Sequence, residues 1–271
     1  MEGQVHAADA AVGRVERDRE AESGAAVLEP SPDGPAQRFL GVVGDRHPVV
    51  AFLLAVLFGY VLLAAASIAL GLLVTNVLLD VRGVERLDER FPRWLEGQRT
   101  ETWTDLSWVG SEAAGGFVIP AMIAVVGLVL VAFRRFRIAA FVLFAVAVES
   151  ATYRATTFFV ERPRPHVERL EGLDPTASYP SGHTAAAIAL YCGLALLLTS
   201  RFVRPGERIP IWVVALAIPP IAGLARMYRG MHHPIDVLAG VPIGIAAILI
   251  ALFACRVAGA AAARRQAAEP R

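Results

Sequence analysis

Four ionisable residues stand at the ends of long apolar stretches: His183, Arg226, His232 and Asp236. A charge at bilayer depth costs at least ~2.5–3.5 kcal/mol, so such residues mark working sites by default. They belong to three short strings, Arg162-Pro163-Arg164-Pro165, Pro180-Ser181-Gly182-His183 and Arg226-x5-His232-x3-Asp236. Together the strings supply fixed cations, two imidazoles and one carboxylate. That set suits phosphate chemistry better than packing.

The strings divide the work by residue type. Pro234 fits the first turn of a helix, where its missing N–H has no partner to lose. His232 then opens that helix and Asp236 points back toward it. A carboxylate beside an imidazole N–H fixes the tautomer and raises the basicity of the other nitrogen, which makes a nucleophile. His233 competes for this role, and the plain alternative is a helix cap. Ser181 and Gly182 precede an apolar run, so their amides lie at a helix N-terminus, which favours anions. His183 follows, placed to protonate a leaving oxygen. Arg164 and Arg226 offer planar forks for phosphate. Arg162 and Arg229 could do the same or snorkel to lipid headgroups. The spacing contains no metal-ligand set. The route that fits is a metal-free one: His232 attacks phosphorus, the arginines and the Ser181 and Gly182 amides stabilise the equatorial oxygens, and His183 protonates the departing group.

These residues need elements to hold them. The chain has 271 residues, is 55% hydrophobic and has a mean hydropathy of +0.51, values of an integral membrane protein. Six apolar segments approach the ~20 residues that cross a bilayer: 49–79, 113–133, 138–159, 183–199, 211–227 and 234–257. The expected fold is all-α, a six-helix membrane domain over 47–258. Disordered tails are expected at 1–46, which is rich in Ala, Glu, Gly, Pro and Arg, and at 259–271. The tail at 1–46 shows no signal-peptide pattern. Arg134, Arg135 and Arg137, then Arg201, Arg204 and Arg208, then Arg256, Arg264, Arg265 and Arg271 fall on one side, with both termini. The positive-inside rule makes that side cytoplasmic. The loop 80–112 faces the other side and holds Trp94, Trp103 and Trp108, suited to an interfacial helix. Alternation of the helices brings all three polar strings to the extracytoplasmic face.

The net charge of +1 gives nucleic acid no purchase, and the lipid bilayer and a lipid phosphate are the partners the pattern implies. The basic residues are all arginine, an effect of genome composition rather than of function. Cys192 and Cys255 sit inside apolar runs as packing residues. No cofactor is implied, and nothing in the sequence sets an oligomeric state.

At these residues the chain resembles the type 2 phosphatidic acid phosphatase (PAP2) superfamily of membrane lipid phosphatases. Its signature reads Lys-x6-Arg-Pro, Pro-Ser-Gly-His, then Ser-Arg-x5-His-x3-Asp. The second part is intact at Pro180 to His183; the third is intact at Arg226, His232 and Asp236, with Ala225 in place of Ser. In the first part Arg164-Pro165 match, and Thr157 stands in the Lys position. The spacing selects His232 over His233. The resemblance implies a six-helix core and hydrolysis of a phosphate ester or diphosphate without metal. It implies His232 as nucleophile, Asp236 as its partner and His183 as acid, with phosphate held by Arg164, Arg226, Ser181 and Gly182. Substrates in keeping with it are undecaprenyl diphosphate, phosphatidic acid and phosphatidylglycerol phosphate in a bacterial plasma membrane. A phosphotransferase and a non-catalytic lipid-phosphate carrier are the alternatives. Arg154, one turn before Thr157, either replaces the missing cation or pairs with a buried acid such as Glu149.

Overall fold

The structure, a computed structural model, describes residues 25–200 and 204–268. A 3-10 turn at Ala26–Leu28 leads into helix α1 (Pro35–Val43). Helix α2 (Pro48–Leu73) runs on through a π turn at Val74–Leu78. Two short helices follow, α3 (Val84–Glu96) and α4 (Glu101–Glu112). Helices α5 (Val118–Ala132) and α6 (Phe136–Phe159) come next. Helix α7 (Gly182–Thr199) contains a π turn at Ile188–Cys192. Helices α8 (Pro205–Tyr228) and α9 (Pro234–Ala268) complete the chain.

The all-helical membrane fold agrees with the sequence reading, with one adjustment of count. Among the described residues, five helices are long and apolar enough to cross a membrane: α2, α6, α7, α8 and α9. The sixth, α5, has 15 residues, about 22 Å at the rise of an α-helix. The apolar segment expected over 113–133 is cut at Gly115-Gly116, where paired glycines disfavour helix. Its first residues, Ala113 and Ala114, instead form the turn that ends α4.

The tails also differ from expectation. Residues 25–46, expected to be disordered, dock on the bundle: Leu28 and Leu40 are buried, and Arg137 and Arg256 donate to the carbonyls of Leu28 and Val27. The interspersed apolar residues of α1 give it a face that packs on α9. At the other end α9 continues to Ala268, past the expected boundary at 258, because its alanine-rich end favours helix and Arg264 bonds to Gln37 of α1. Residues 1–24 and two of the arginines used to orient the chain, Arg201 and Arg271, lie outside the described residues.

Helix α9 is the central element and packs against α1, α2, α6 and α7. Its face toward α7 is made of small residues, the membrane solution to close helix contact. A Cβ at Gly240 would lie 2.6 Å from the Ser181 carbonyl oxygen, and one at Gly244 would lie 2.5 Å from that of Ala185. The two backbones therefore touch, and the start of α7 is fixed beside the start of α9. This crossing brings two of the three polar strings together. The exposed Trp94, Trp103 and Trp108 ring the same end on α3 and α4, as headgroup-level residues should.

Candidate active site

The nucleophile candidate is set by the loop between α8 and α9. Gly230 turns that loop with φ +73°, and a Cβ there would lie 2.8 Å from the Glu168 carbonyl oxygen. His232 follows, 3% exposed. Its Nδ1–H donates to the Ser178 carbonyl at 2.7 Å. That bond leaves Nε2 with its lone pair. Burial, reinforced by the charge of Arg226, holds the pKa of His232 well below its ordinary value. The imidazole is therefore neutral at pH 7, as a nucleophile must be.

Asp236 corrects one expectation. Its Oδ2 lies 3.9 Å from His232 Nδ1, too far for a hydrogen bond. The carboxylate instead accepts from the backbone N–H of His233 at 2.8 Å, His233 Nδ1 at 3.2 Å and Ser178 Oγ at 2.6 Å. The reason is local: His233 is the cap of α9, and an acid three residues into a helix reaches back to the cap N–H. Ser178 thus joins the two residues, its hydroxyl donating to Asp236 and its carbonyl receiving His232.

The two histidines separate by environment. His233 Nε2 lies 3.0 Å from Glu89 Oε1 of α3. Burial lowers the pKa of His233, but hydrogen bonds to Asp236 and Glu89 outweigh it and leave the net shift upward. Burial likewise pushes Glu89 up, while bonds from His233 and His166 bring it below the usual carboxylate range. His233 is a structural cation between two acids, not a nucleophile.

Arg162, read from the sequence as a phosphate fork or a snorkelling residue, is neither: it is 3% exposed. It bridges Asp236 and Asp88 of α3. Asp88 also caps α9 by accepting from the Ile235 N–H at 3.0 Å. The loop carrying Arg162 is held by pairing with its own return: Arg162 N–H donates to Thr176 O, Ser178 N–H to Arg162 O and Arg164 N–H to Pro175 O. This pairing fixes Ser178, Arg162 and Arg164 as one block. Sequence reasoning missed Asp88, Glu89 and Ser178. The pattern of α3 gave no signal for them: Asp88 and Glu89 are buried with Pro92 and Leu95, while the apolar Leu87 and Trp94 face outward.

Arg164 donates from Nε to the Asp174 carbonyl at 2.6 Å and from Nη1 to the Met231 carbonyl. Burial first, then the charge of Arg226, lowers its pKa. Arg226, 1% exposed, closes α8 and donates to Ser111 Oγ of α4 at 3.0 Å. Its Nε is buried without a partner among the described residues. Arg229 is buried too, donating to Ser107 Oγ at 3.2 Å, so it does not snorkel.

The start of α7 needs a second correction. Ser181 is its N-cap, accepting from the Thr184 N–H, as its type predicts. Its own N–H, however, donates to the Asp236 carbonyl at 2.9 Å. That amide is not available to phosphate; the amides of the first helical turn, Gly182 and His183, have no intrahelical acceptor. His183 is partly buried and within range of the charges of Arg226, Glu171 and Arg164.

Thr157 closes on its own helix, its hydroxyl donating to the Tyr153 and Arg154 carbonyls at 3.1 Å. Arg154 is exposed on the outer face of α6 and forms no ion pair with Glu149 or any other acid among the described residues. The pairing with a buried acid is therefore not formed. Arg154→Ala is expected to hydrolyse substrate within about twofold of the parent, since exposed substitutions shift free energies by about 0.5 kcal/mol or less. A rate loss of tenfold or more would restore Arg154 to the site.

Residues 138–257 match the family described as the PAP2 superfamily. They form a PAP2 superfamily domain. The chain thus carries, over those residues, the phosphatase domain that the motifs implied. It is 24% identical over 189 residues to phosphatidylglycerophosphatase B of Bacillus subtilis (strain 168), covering 66% of this chain and 88% of that one. Its fold is that of the first transmembrane PAP2-type phosphatidylglycerolphosphate phosphatase from Bacillus subtilis, with a TM-score of 0.59 and 20% identity over 76% of this chain and 94% of that one. Aquifex aeolicus LpxE gives a TM-score of 0.48 at 25% identity, over 60% of this chain and 93% of that one.

Proposed function

We propose that this PAP2 phosphatase hydrolyses a lipid phosphomonoester through a phosphohistidine on His232, and that phosphatidylglycerol phosphate is the first candidate substrate. The observation that carries the mechanism is the bond from His232 Nδ1 to the Ser178 carbonyl, which leaves a neutral Nε2 beside Arg164 and Arg226. Nε2 forms a bond to phosphorus as the bond from phosphorus to the lipid oxygen breaks. His183 gives its proton to that oxygen. Water then attacks phosphorus, returns a proton to His183 and breaks the P–N bond, releasing inorganic phosphate. Arg164, Arg226 and the Gly182 and His183 amides carry the charge of the equatorial oxygens. No step calls for a metal: the buried acids Asp88 and Asp236 already share the Arg162 guanidinium.

The substrate choice draws on the name of the Bacillus subtilis relative, phosphatidylglycerophosphatase B. Membrane placement supports a lipid, whose tails stay in the bilayer while the headgroup enters the site. Arg134, Arg135, Arg137, Arg256, Arg264 and Arg265 gather at the opposite end of the bundle, which supports a site on the extracytoplasmic face and a cytoplasmic C-terminus.

The test is phosphate release by purified protein from phosphatidylglycerol phosphate, phosphatidic acid and undecaprenyl diphosphate, each with excess chelator. Turnover fastest on phosphatidylglycerol phosphate and indifferent to chelator is the expected result. Loss of turnover in chelator, with rescue by a divalent cation, would overturn the metal-free route.

A further inference from the structure

One acid in the site has no part in the mechanism above. Glu171 lies in the loop between α6 and α7. Its Oε2 accepts from Arg226 Nη1 at 2.5 Å and its Oε1 from Arg229 Nε at 2.5 Å. Two carboxylate oxygens on two guanidinium groups reproduce two oxygens of a bound phosphate. Burial raises the pKa of Glu171, but the charge of Arg226 and bonds from both arginines outweigh it, and the group stays ionised.

The loop backbone is pinned and the side chain is not. Leu170 N–H donates to the Arg229 carbonyl at 3.1 Å, and Arg99 Nη2 donates to the Glu168 carbonyl at 2.7 Å. Glu171 itself keeps 24% of its side chain in solvent, against 1% for Arg226. A rotation of its side chain alone can therefore free the arginine without moving the loop.

We propose that Glu171 is a displaceable anion that sets how much charge a phosphate must carry to occupy the Arg226 site. The proposal rests on the reading that Arg226 binds substrate phosphate. A phosphomonoester, with three terminal oxygens and up to two charges, outcompetes a carboxylate for these donors. A phosphodiester, with two terminal oxygens and one charge, offers no more than Glu171 already supplies. Glu171 thereby excludes the diester headgroups of the surrounding bilayer, and it returns to the arginines as inorganic phosphate leaves.

The test is calorimetric titration of the full chain in detergent with inorganic phosphate and, separately, with dimethyl phosphate, in the parent, Glu171→Gln and Glu171→Ser. The parent is expected to bind phosphate and to discriminate against dimethyl phosphate. Both variants should bind phosphate about tenfold more tightly, the scale of one charge-assisted hydrogen bond. They should gain more for dimethyl phosphate, so that the discrimination narrows. If Glu171 only holds the arginines in place, both variants bind both anions more weakly, which overturns the proposal; so does unchanged affinity. Binding is read without turnover. A parent that binds phosphate yet hydrolyses no lipid phosphate would sink the proposed function and leave this comparison intact.

Discussion

His232→Ala is expected to lower kcat by about six orders of magnitude, the scale on which loss of a covalent nucleophile acts in other hydrolases. The side chain makes one hydrogen bond among the described residues, to the Ser178 carbonyl, and that bond leaves the lone pair on Nε2. The substitution leaves Arg164 and Arg226 in place, so KM should change little. It also leaves the Ser178 carbonyl buried without its donor, at about 1–3 kcal/mol in stability. His233→Ala is the informative contrast. It removes the group between Asp236 and Glu89, so it should destabilise the fold more and slow turnover less. Rapid-quench experiments with phosphorus-labelled substrate would show an acid-labile phosphoenzyme in the parent and in His233→Ala, and none in His232→Ala. A label that survives in His232→Ala ends the assignment.

Asp236→Asn carries the second large effect, and it acts at a distance. Asp236 holds Arg162, Ser178 and His233 at once, and it is completely buried. Neutralising it leaves the guanidinium of Arg162 with Asp88 alone, and breaking a buried pair costs about 3–5 kcal/mol. Activity should fall as well, by about 100-fold in kcat with KM nearly unchanged, in line with loss of groups that orient a reacting one. The route is through Ser178, since Asp236 makes no hydrogen bond to His232. Ser178→Ala should therefore reproduce part of the kcat loss, and the double variant should be no slower than Asp236→Asn alone. Additive losses would mean that Asp236 reaches His232 by a direct bond formed during turnover.

The residues of the candidate site were legible because each is a costly residue in an apolar setting. His183, Arg164, Arg226, His232 and Asp236 converge as helix alternation requires. Which partner each residue takes was not legible. Asp236 sits four residues after His232, a spacing that invites a direct bond, but the cap of α9 claims the carboxylate for His233. Ser181 looks like an open amide at a helix start, yet the close crossing of α7 and α9 brings the Asp236 carbonyl to its N–H. Local capping decides the first and tertiary approach the second, which no local pattern encodes. The tail at 25–46 shows the same limit. Its composition is that of a solvated segment, and only the surface of α9 gives Leu28 and Leu40 somewhere to go.

Helix α3 and helix α4 lie before residue 138, where the family match begins. From them come Asp88 to Arg162, Glu89 to His233, Ser107 to Arg229 and Ser111 to Arg226. A segment cut at 138–257 would hold every candidate site residue but lose these partners, leaving Arg162 with Asp236 alone and Arg226 and Arg229 with Glu171 alone among the acids. The unit that recombination can exchange between such enzymes is thus longer than the unit that carries the chemistry, and a functional graft must start no later than α3.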